Sequence, residues 1–265
     1  MFRKFFTIAA VFSIFFVQIA QAQTSSLSNE LKKWYYNPNS QNAPPTAQEQ
    51  INLEQFDAYY LGNTEKKEIY LTFDEGYENG FTAKILDVLK EKNVPAAFFV
   101  TKTYIDYNPD LVQRMVNEGH IVANHTVRHK SSPTLSDDEM KKEINDTAAA
   151  FKTLMNAEMP PFFRPPMGQY SERTLKVTQD CGYKSIFWSF AYVDWDVKKQ
   201  PGAEFAHKKV MDNIHNGAIL LLHAVSESNA QAMAQIIESV RAAGYEFKSL
   251  NELPQKAKAL GNFYE

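Results

Sequence analysis

The sequence predicts an α/β fold, a distorted (β/α) barrel of about seven parallel strands. Short runs rich in β-branched and aromatic residues alternate with longer stretches that repeat apolar residues at helical spacing. Strands separated by helices of this length are typical of βα units around a parallel sheet. The chain has 265 residues, 44% of them hydrophobic, which suits the size and the core of one such barrel.

Strands and helices alternate from Glu68 onward. The predicted strands are Ile69–Phe73, Ala96–Val100, His120–Asn124, Phe162–Arg164, Ser185–Phe190, Ala218–Leu222 and Tyr245–Ser249. The predicted helices are Thr82–Lys92, Pro109–Glu118, Ser136–Met155, Ser171–Cys181, Glu204–His215 and Asn229–Ala243. They form one predicted domain over residues 67–255, and residues 256–265 follow it as a C-terminal tail.

The N-terminus has the pattern of an export signal. Two basic residues precede an apolar run, and Ala20-Gln21-Ala22 then matches an A-x-A cleavage site. We interpret residues 1–22 as a secretory signal peptide, with an uncleaved membrane anchor as the alternative. Either way the protein is exported, to the cell wall or the outer face of the membrane. Residues 23–66 are aromatic-rich and are predicted to pack on the barrel, with a linker as the alternative.

Charge and cysteine content exclude two classes of function. The net charge of −3 and the pI of about 6.1 give no basic field, which argues against a nucleic-acid partner. The one cysteine, Cys181, cannot form an internal disulfide. It lies in an apolar-periodic stretch, where a lone cysteine is usually a small core residue rather than a nucleophile.

Five short polar motifs lie at or just beyond the ends of predicted strands. Catalytic groups of such barrels sit at the carboxyl ends of the strands, where all the strands meet. The motifs are therefore expected to form one site. They are Thr72–Gly76, His125–His129, Arg164–Gly168, Asp194–Trp195 and Leu221–His223.

The first two motifs predict a metal site. His125 and His129 are four residues apart, which on a helical turn places both imidazoles on one face; two surface histidines are the alternative. Asp74 and Glu75 follow a predicted central strand. Two histidines and one carboxylate, with a position left for water, are a usual catalytic zinc arrangement. The second carboxylate could then act as a general base.

The other motifs supply an arginine and a second acid–base group. Arg164 precedes two prolines that stiffen its loop, and an arginine there can hold a carboxylate ionised; a salt bridge elsewhere is the alternative. His223 ends an apolar strand, where it can act as a general acid or be a satisfied core histidine. Leu221 lies on the same face of that strand.

Together, and in this order, the motifs resemble the polysaccharide deacetylase family (NodB homology, carbohydrate esterase family 4). The resemblance implies hydrolysis of an acetamide, with Asp74 as the base and zinc or another divalent ion on Glu75, His125 and His129. The family usually has Asp-Asp where this chain has Asp74-Glu75, and the extra methylene changes the reach of the second carboxylate. The resemblance also implies Arg164 as partner of Asp74 and the Met167 N–H as oxyanion donor. It implies Asp194 as support of the acid His223, with the nearby Asp196 as the alternative. Trp195 and Leu221 would form the acetyl pocket.

The residues that flank the motifs narrow the resemblance. Segments such as Asp74–Gly80, Arg164–Glu172 and Leu222–Ser226 look like the delta-lactam-biosynthetic de-N-acetylases of spore-forming bacteria. That likeness implies peptidoglycan N-acetylmuramic acid as substrate, formation of the muramic δ-lactam of the spore cortex, and substrate contacts by Tyr170. An N-acetylmuramoyl-L-alanine amidase would act earlier. The alternatives are N-acetylglucosamine units or chitin oligomers as substrate, and a non-catalytic glycan-binding relative.

Overall fold

The computed structural model describes residues 27–38, 42–47 and 52–254. The predicted signal peptide and C-terminal tail lie outside these ranges. The strands are β1 Lys32–Lys33, β2 Tyr36–Asn37, β3 Thr46–Ala47, β4 Ala58–Tyr59, β5 Glu68–Glu75, β6 Ala96–Val100, β7 Ile121–Asn124, β8 Phe162–Phe163, β9 Gln169–Tyr170, β10 Lys184–Ile186, β11 Phe190–Ala191, β12 Ala218–His223 and β13 Glu246–Phe247.

Seven α-helices lie within these ranges: α1 Thr82–Lys92, α2 Lys102–Tyr107, α3 Pro109–Asn117, α4 Asp137–Met155, α5 Glu172–Asp180, α6 Ala203–Met211 and α7 Glu227–Ala242. Six of them match predicted helices within a few residues, and α2 was not predicted. Helix α4 begins where the sequence places a capping box of Ser136 and Glu139. No helix in the described ranges combines the length and apolar content that crossing a membrane needs.

One parallel sheet carries the fold and confirms the predicted α/β class. Its strand order is β11-β12-β5-β6-β7-β8-β10-β4, with β13 pairing the start of β5. Every pair along this order is parallel. Strand β5 is therefore an interior strand of the sheet, between β12 and β6.

One predicted strand is broken into two short strands, which pair at opposite ends of the sheet. The sequence predicts a single strand over Ser185–Phe190, but β10 and β11 lie at different places in the strand order. Between them the Phe187 N–H donates to the Tyr59 carbonyl (2.7 Å), and the Ser189 N–H donates to the Ile219 carbonyl (3.0 Å). The chain thus crosses from the β4 edge to β12 and brings the two edges together, which gives the distorted barrel.

Strand β5 sends alternate side chains to two different layers. Ile69, Leu71 and Phe73 pack in one core cluster with residues of the helices α1 and α7. Tyr70 packs in another cluster, with Ala97 and Phe99 of β6. Successive side chains of a strand point to opposite faces. Asp74 therefore continues the row of Tyr70 and Thr72, while Glu75 continues the row that faces the helices.

The described part of the N-terminal segment contacts the barrel. Trp34 is buried and stacks on Phe187 with ring centroids 4.6 Å apart. Its indole Nε1–H donates to the carbonyl of Trp188 (2.9 Å), and β1 pairs antiparallel with β9. These contacts join the segment to the wall of the barrel beside the loop that follows Arg164.

Candidate active site

A cleft of about 850 Å³ opens at the carboxyl ends of β5, β7 and β12. It lies where the strand-end rule places the site of such a barrel. Most of the residues predicted for the site line it: Asp74, His125, His129, Met167, Trp195, Leu221 and His223. The structure therefore brings together side chains that are as much as 149 positions apart in the sequence (223 − 74).

Asp74 forms a buried ion pair with Arg164. The Arg164 Nη1 donates to Asp74 Oδ1 at 2.7 Å, and the guanidinium is fully buried. Burial by itself raises the pKa of the Asp74 carboxyl, but the charge of Arg164 and, after it, the nearby His125 and His223 lower it more. The pKa of Asp74 therefore lies below its ordinary value, and the carboxylate is ionised at neutral pH.

Arg164 is fixed by contacts that the sequence did not reveal. Its Nη2 donates to Thr72 Oγ1 (2.9 Å) and its Nε donates to the Ile186 carbonyl (3.0 Å). The guanidinium lies 4.0 Å from the centroid of the Phe99 ring. Thr72 lies two residues before Asp74 on one face of β5, so strand periodicity could have identified it. Phe99 comes from the neighbouring strand and gave no sequence signal.

His223 is held by Asp194. The His223 Nδ1–H donates to Asp194 Oδ1 (2.7 Å), and the His223 backbone N–H donates to Asp194 Oδ2 (2.8 Å). Asn229 at the start of α7 also donates to Asp194 Oδ2 (2.6 Å). Burial alone lowers the pKa of His223. The hydrogen bond and the charge of Asp194 raise that pKa by more than burial lowers it, so the net shift is upward. His223 is thus prepared to carry a proton.

The two histidines of the second motif meet in a loop, not on a helical turn as predicted. Thr126 and His129 both have positive φ (69° and 56°), which a helix does not allow. The His129 N–H donates to Thr126 Oγ1 (3.0 Å) and closes the turn. The rings of His125 and His129 are still close, with centroids 4.8 Å apart. The four-residue spacing correctly predicts that the two rings are close, but a loop brings them together instead of a helical turn.

His125 presents its Nε2 lone pair to Asp74. Its Nδ1–H donates to the Arg164 carbonyl (2.9 Å), because a carbonyl can only accept. Its Nε2 lies 3.5 Å from Asp74 Oδ2. Burial lowers the pKa of His125 to about 4, so the ring is neutral at physiological pH. This tautomer and charge state are those of a metal-ligating histidine.

Glu75 lies apart from these histidines, which corrects its predicted place. Its side chain is fully buried, and neither carboxylate oxygen has a hydrogen-bond partner among the described residues. Burial raises the pKa of Glu75 well above its ordinary value, and the charges of Glu78 and Asp74 add to this. The alternation of side chains along β5 explains the separation. It sends Asp74 to the cleft and Glu75 to the helix layer.

The predicted three-ligand metal set is therefore not assembled. Within the described ranges, no group of three His, Cys, Asp or Glu side chains is arranged to hold a metal ion. His125 has the tautomer and charge of a ligand and His129 lies beside it, but Glu75 is not with them. As placed, Glu75, His125 and His129 do not form a three-ligand site for the ion.

Two other predicted residues differ in their exposure to the cleft. Met167 lines it from a left-handed backbone position (φ 57°), and its side chain is half-exposed. Tyr170 was predicted to contact substrate, but it is buried and packs edge-on against Phe187, with centroids 5.0 Å apart. It lies outside the cleft lining. The ring of Tyr170 instead joins Trp34 and Phe187 in one core cluster beneath the segment where β9 pairs with β1.

Comparisons with known proteins identify relatives of this chain. The sequence profile of the family described as polysaccharide deacetylase matches residues 61–186. The peptidoglycan-N-acetylmuramic acid deacetylase PdaA of Bacillus subtilis is 41% identical over 234 residues, 88% of this chain and 89% of that protein. A peptidoglycan-N-acetylglucosamine deacetylase of Bacillus cereus is 32% identical over 210 residues, 78% of this chain and 75% of that protein. The solved structure of Bacillus subtilis PdaA, a family 4 carbohydrate esterase, has a TM-score of 0.84, and the match covers 86% of this chain and 98% of that one.

Proposed function

We propose that this chain, which belongs to the polysaccharide deacetylase family, removes the acetyl group from N-acetylmuramic acid in peptidoglycan. The class of enzyme, a polysaccharide and peptidoglycan deacetylase, follows from its relatives. The muramic acid preference is supported by the 41% identity to a deacetylase named for that sugar, against 32% to one named for N-acetylglucosamine.

The main support for acetamide hydrolysis is that a base and an acid lie side by side on two paired strands. Asp74 of β5 and His223 of β12 are partners in the strand register, and both line the cleft. Each has its own buried partner, Arg164 for Asp74 and Asp194 for His223. The partners move the two pKa values apart, which separates the roles of base and acid.

Asp74 accepts the proton of the attacking water. Its carboxylate is ionised because Arg164 holds it so, and its Oδ2 lies toward the cleft near His125. As the proton moves to Asp74, the water oxygen attacks the acetamide carbon and the carbonyl electrons move to oxygen. We assign the backbone N–H of Met167 as a donor to that oxyanion.

His223 then protonates the leaving amine. Its Nδ1–H is committed to Asp194, so its Nε2 is the nitrogen that gives a proton to the cleft. The C–N bond breaks as the amine nitrogen receives this proton, and acetate leaves. Trp195 and Leu221, which line the cleft near His223, bound the space for the acetyl methyl group.

A divalent ion, zinc in the first place, remains the predicted cofactor. The His125–His129 pair, without Glu75, is the candidate site, and an ion held there would polarise an acyl oxygen or the attacking water. The measurement is calorimetric titration of Zn²⁺ into the metal-free protein and into His129→Ala. Tight binding by the parent chain and none by the variant supports the cofactor, and equal binding by both argues against this site.

The product amine leads to the δ-lactam. Its nitrogen is placed to attack the lactyl carboxyl carbon of the same sugar, forming a C–N bond with loss of water. A free lactyl carboxyl is required, so an amidase that removes the stem peptide acts first. The substrate is in the cell wall, which agrees with the export signal predicted in residues 1–22.

The experiment is acetate release from peptidoglycan glycan strands, with and without stem peptides, by the mature protein and by His223→Asn. Release from stripped strands, with the new amine found on muramic acid and lost in the variant, is the expected result. Amines found only on glucosamine would replace the proposed substrate with N-acetylglucosamine. Binding without acetate from any strand would favour the non-catalytic alternative.

A further inference from the structure

The cleft has a simple charge pattern. Among the described residues that line it, Asp74 is the one acid and Arg128 is the one Lys or Arg. The charge of Asp74 is already matched by Arg164 beneath it. Arg128 is therefore a positive charge on the cleft wall that the site itself does not balance.

The guanidinium of Arg128 has no partner in the described part of the chain. It is exposed, and across residues 27–38, 42–47 and 52–254 no carboxylate forms an ion pair with it. Glu139, Glu143 and Asp146 lie with Arg128 around a neighbouring hollow, yet none of them is paired with its side chain. Glu143 Oε2 instead accepts the backbone N–H groups of Val127 (2.7 Å) and Arg128 (3.2 Å).

The backbone of this loop is held independently of the Arg128 side chain. The backbone N–H groups of Val127 and Arg128 donate to Glu143, and that of His129 donates to Thr126 Oγ1, so every donor is main-chain. The loop can therefore keep its shape when the guanidinium is replaced. Arg128 lines the same cleft as the base Asp74 and the acid His223, so its charge faces the space in which the substrate would lie.

The substrate supplies a matching anion. In muramic acid the acetamide is on one ring carbon and the lactyl ether is on the next, so a carboxylate lies close to the reacting bond. Glucosamine has a hydroxyl there. When a stem peptide is attached, the lactyl carboxyl is an amide and carries no charge. A guanidinium pairs with a carboxylate through two parallel hydrogen bonds and has no such partner in a hydroxyl or an amide.

We propose that Arg128 is a specificity-determining residue that binds the lactyl carboxylate of peptide-free muramic acid. This inference rests on the proposed function and explains how the cleft would select stripped strands. The contact forms with the ground state and persists through the reaction, so it lowers KM more than it raises kcat. Loss of the guanidinium is expected to lower kcat/KM by about 10- to 100-fold on that substrate.

The test crosses three variants with two substrates. The variants are Arg128→Gln, the charge-preserving Arg128→Lys and the control Lys130→Gln, an exposed cation two residues away that lies outside the cleft lining. The substrates are stripped glycan strands with free lactyl carboxylates, and the same strands with these carboxylates converted to methyl amides. KM and kcat are measured at low and high salt, because salt weakens an exposed ion pair.

The expected result is a higher KM for Arg128→Gln on the carboxylate substrate alone, with Arg128→Lys between it and the parent. The parent's preference for the carboxylate should shrink at high salt, and Lys130→Gln should match the parent. Equal losses on both substrates, or no loss on either, would overturn the assignment of Arg128 while leaving the deacetylase intact. No acetate from either substrate with the parent would overturn the proposed function, and this inference with it.

Discussion

The two faces of strand β5 place neighbouring carboxylates in opposite states. Asp74 faces the cleft and pairs with Arg164, while Glu75 faces the helix layer and has no hydrogen-bond partner among the described residues. Burial raises the pKa of both groups, but only Asp74 has a buried cation to reverse the effect. The difference shows that the partner, more than the depth of burial, decides which carboxylate is charged.

The largest expected effect comes from the cleft face. Asp74→Asn keeps the shape and a hydrogen-bond acceptor for Arg164 but removes the base. Acetate release should fall by about 10²- to 10⁴-fold, the usual contribution of a general base. The parent and the variant are compared by kcat/KM on stripped strands, with circular dichroism as the check on folding. Activity close to that of the parent would mean that another group accepts the proton.

Replacing Arg164, the partner of Asp74, should shift the pKa of the base while the base itself remains. Arg164→Lys keeps a positive charge but loses the forked contact with Asp74 and Thr72, so the pKa of Asp74 rises. Because the base must be ionised, the acidic limb of the kcat/KM profile should move to higher pH. At any pH below both limbs, activity should fall by about tenfold for each pH unit that the limb moves. An unchanged acidic limb would break the link between Arg164 and the charge of Asp74.

The pH profile also tests the acid His223, whose partner raises its pKa where Arg164 lowers that of Asp74. Asp194 raises the pKa of His223, so Asp194→Asn should lower it. His223 must be protonated to act, and the alkaline limb of the profile should therefore move to lower pH. At neutral pH we expect a loss of about tenfold. A profile that only loses height, with both limbs fixed, would assign Asp194 a purely structural role.

The helix face should affect stability rather than chemistry. The raised pKa of Glu75 means that the folded chain holds a proton which the unfolded chain releases above its ordinary pKa. The free energy of unfolding therefore decreases as pH rises from that ordinary value toward the folded one. In Glu75→Gln this decrease should be smaller between about pH 5 and pH 8, as measured by urea denaturation. A slope identical to the parent's would mean that Glu75 is not protonated in the fold.

The same contrast marks what the sequence could and could not predict. The order of strands and helices was readable because apolar spacing reflects burial, and the strand-end rule placed most of the cleft lining. The split between β10 and β11 could not be predicted, because it depends on hydrogen bonds to Tyr59 and Ile219, which are distant in the sequence. Helix α2 was missed since it has only six residues. The adjacent pair Asp74-Glu75 predicts one shared site, but the two-residue repeat of β5 sends the two side chains to opposite faces.

Partners that arrive from distant elements also left no signal. Asn229 reaches Asp194 from the first turn of α7, and Phe99 reaches Arg164 from β6. Neither lies in a motif, and neither residue type is unusual for its element. Such residues are identified only when the tertiary fold places them beside the group they support.

The most direct test of the contrast between the two faces is acetate release by Glu75→Gln from stripped glycan strands. If the chemistry belongs to the cleft face of β5, the variant keeps kcat/KM within a few-fold of the parent. A folded Glu75→Gln protein that has lost acetate release as completely as Asp74→Asn would contradict that account. It would return Glu75 to the catalytic centre.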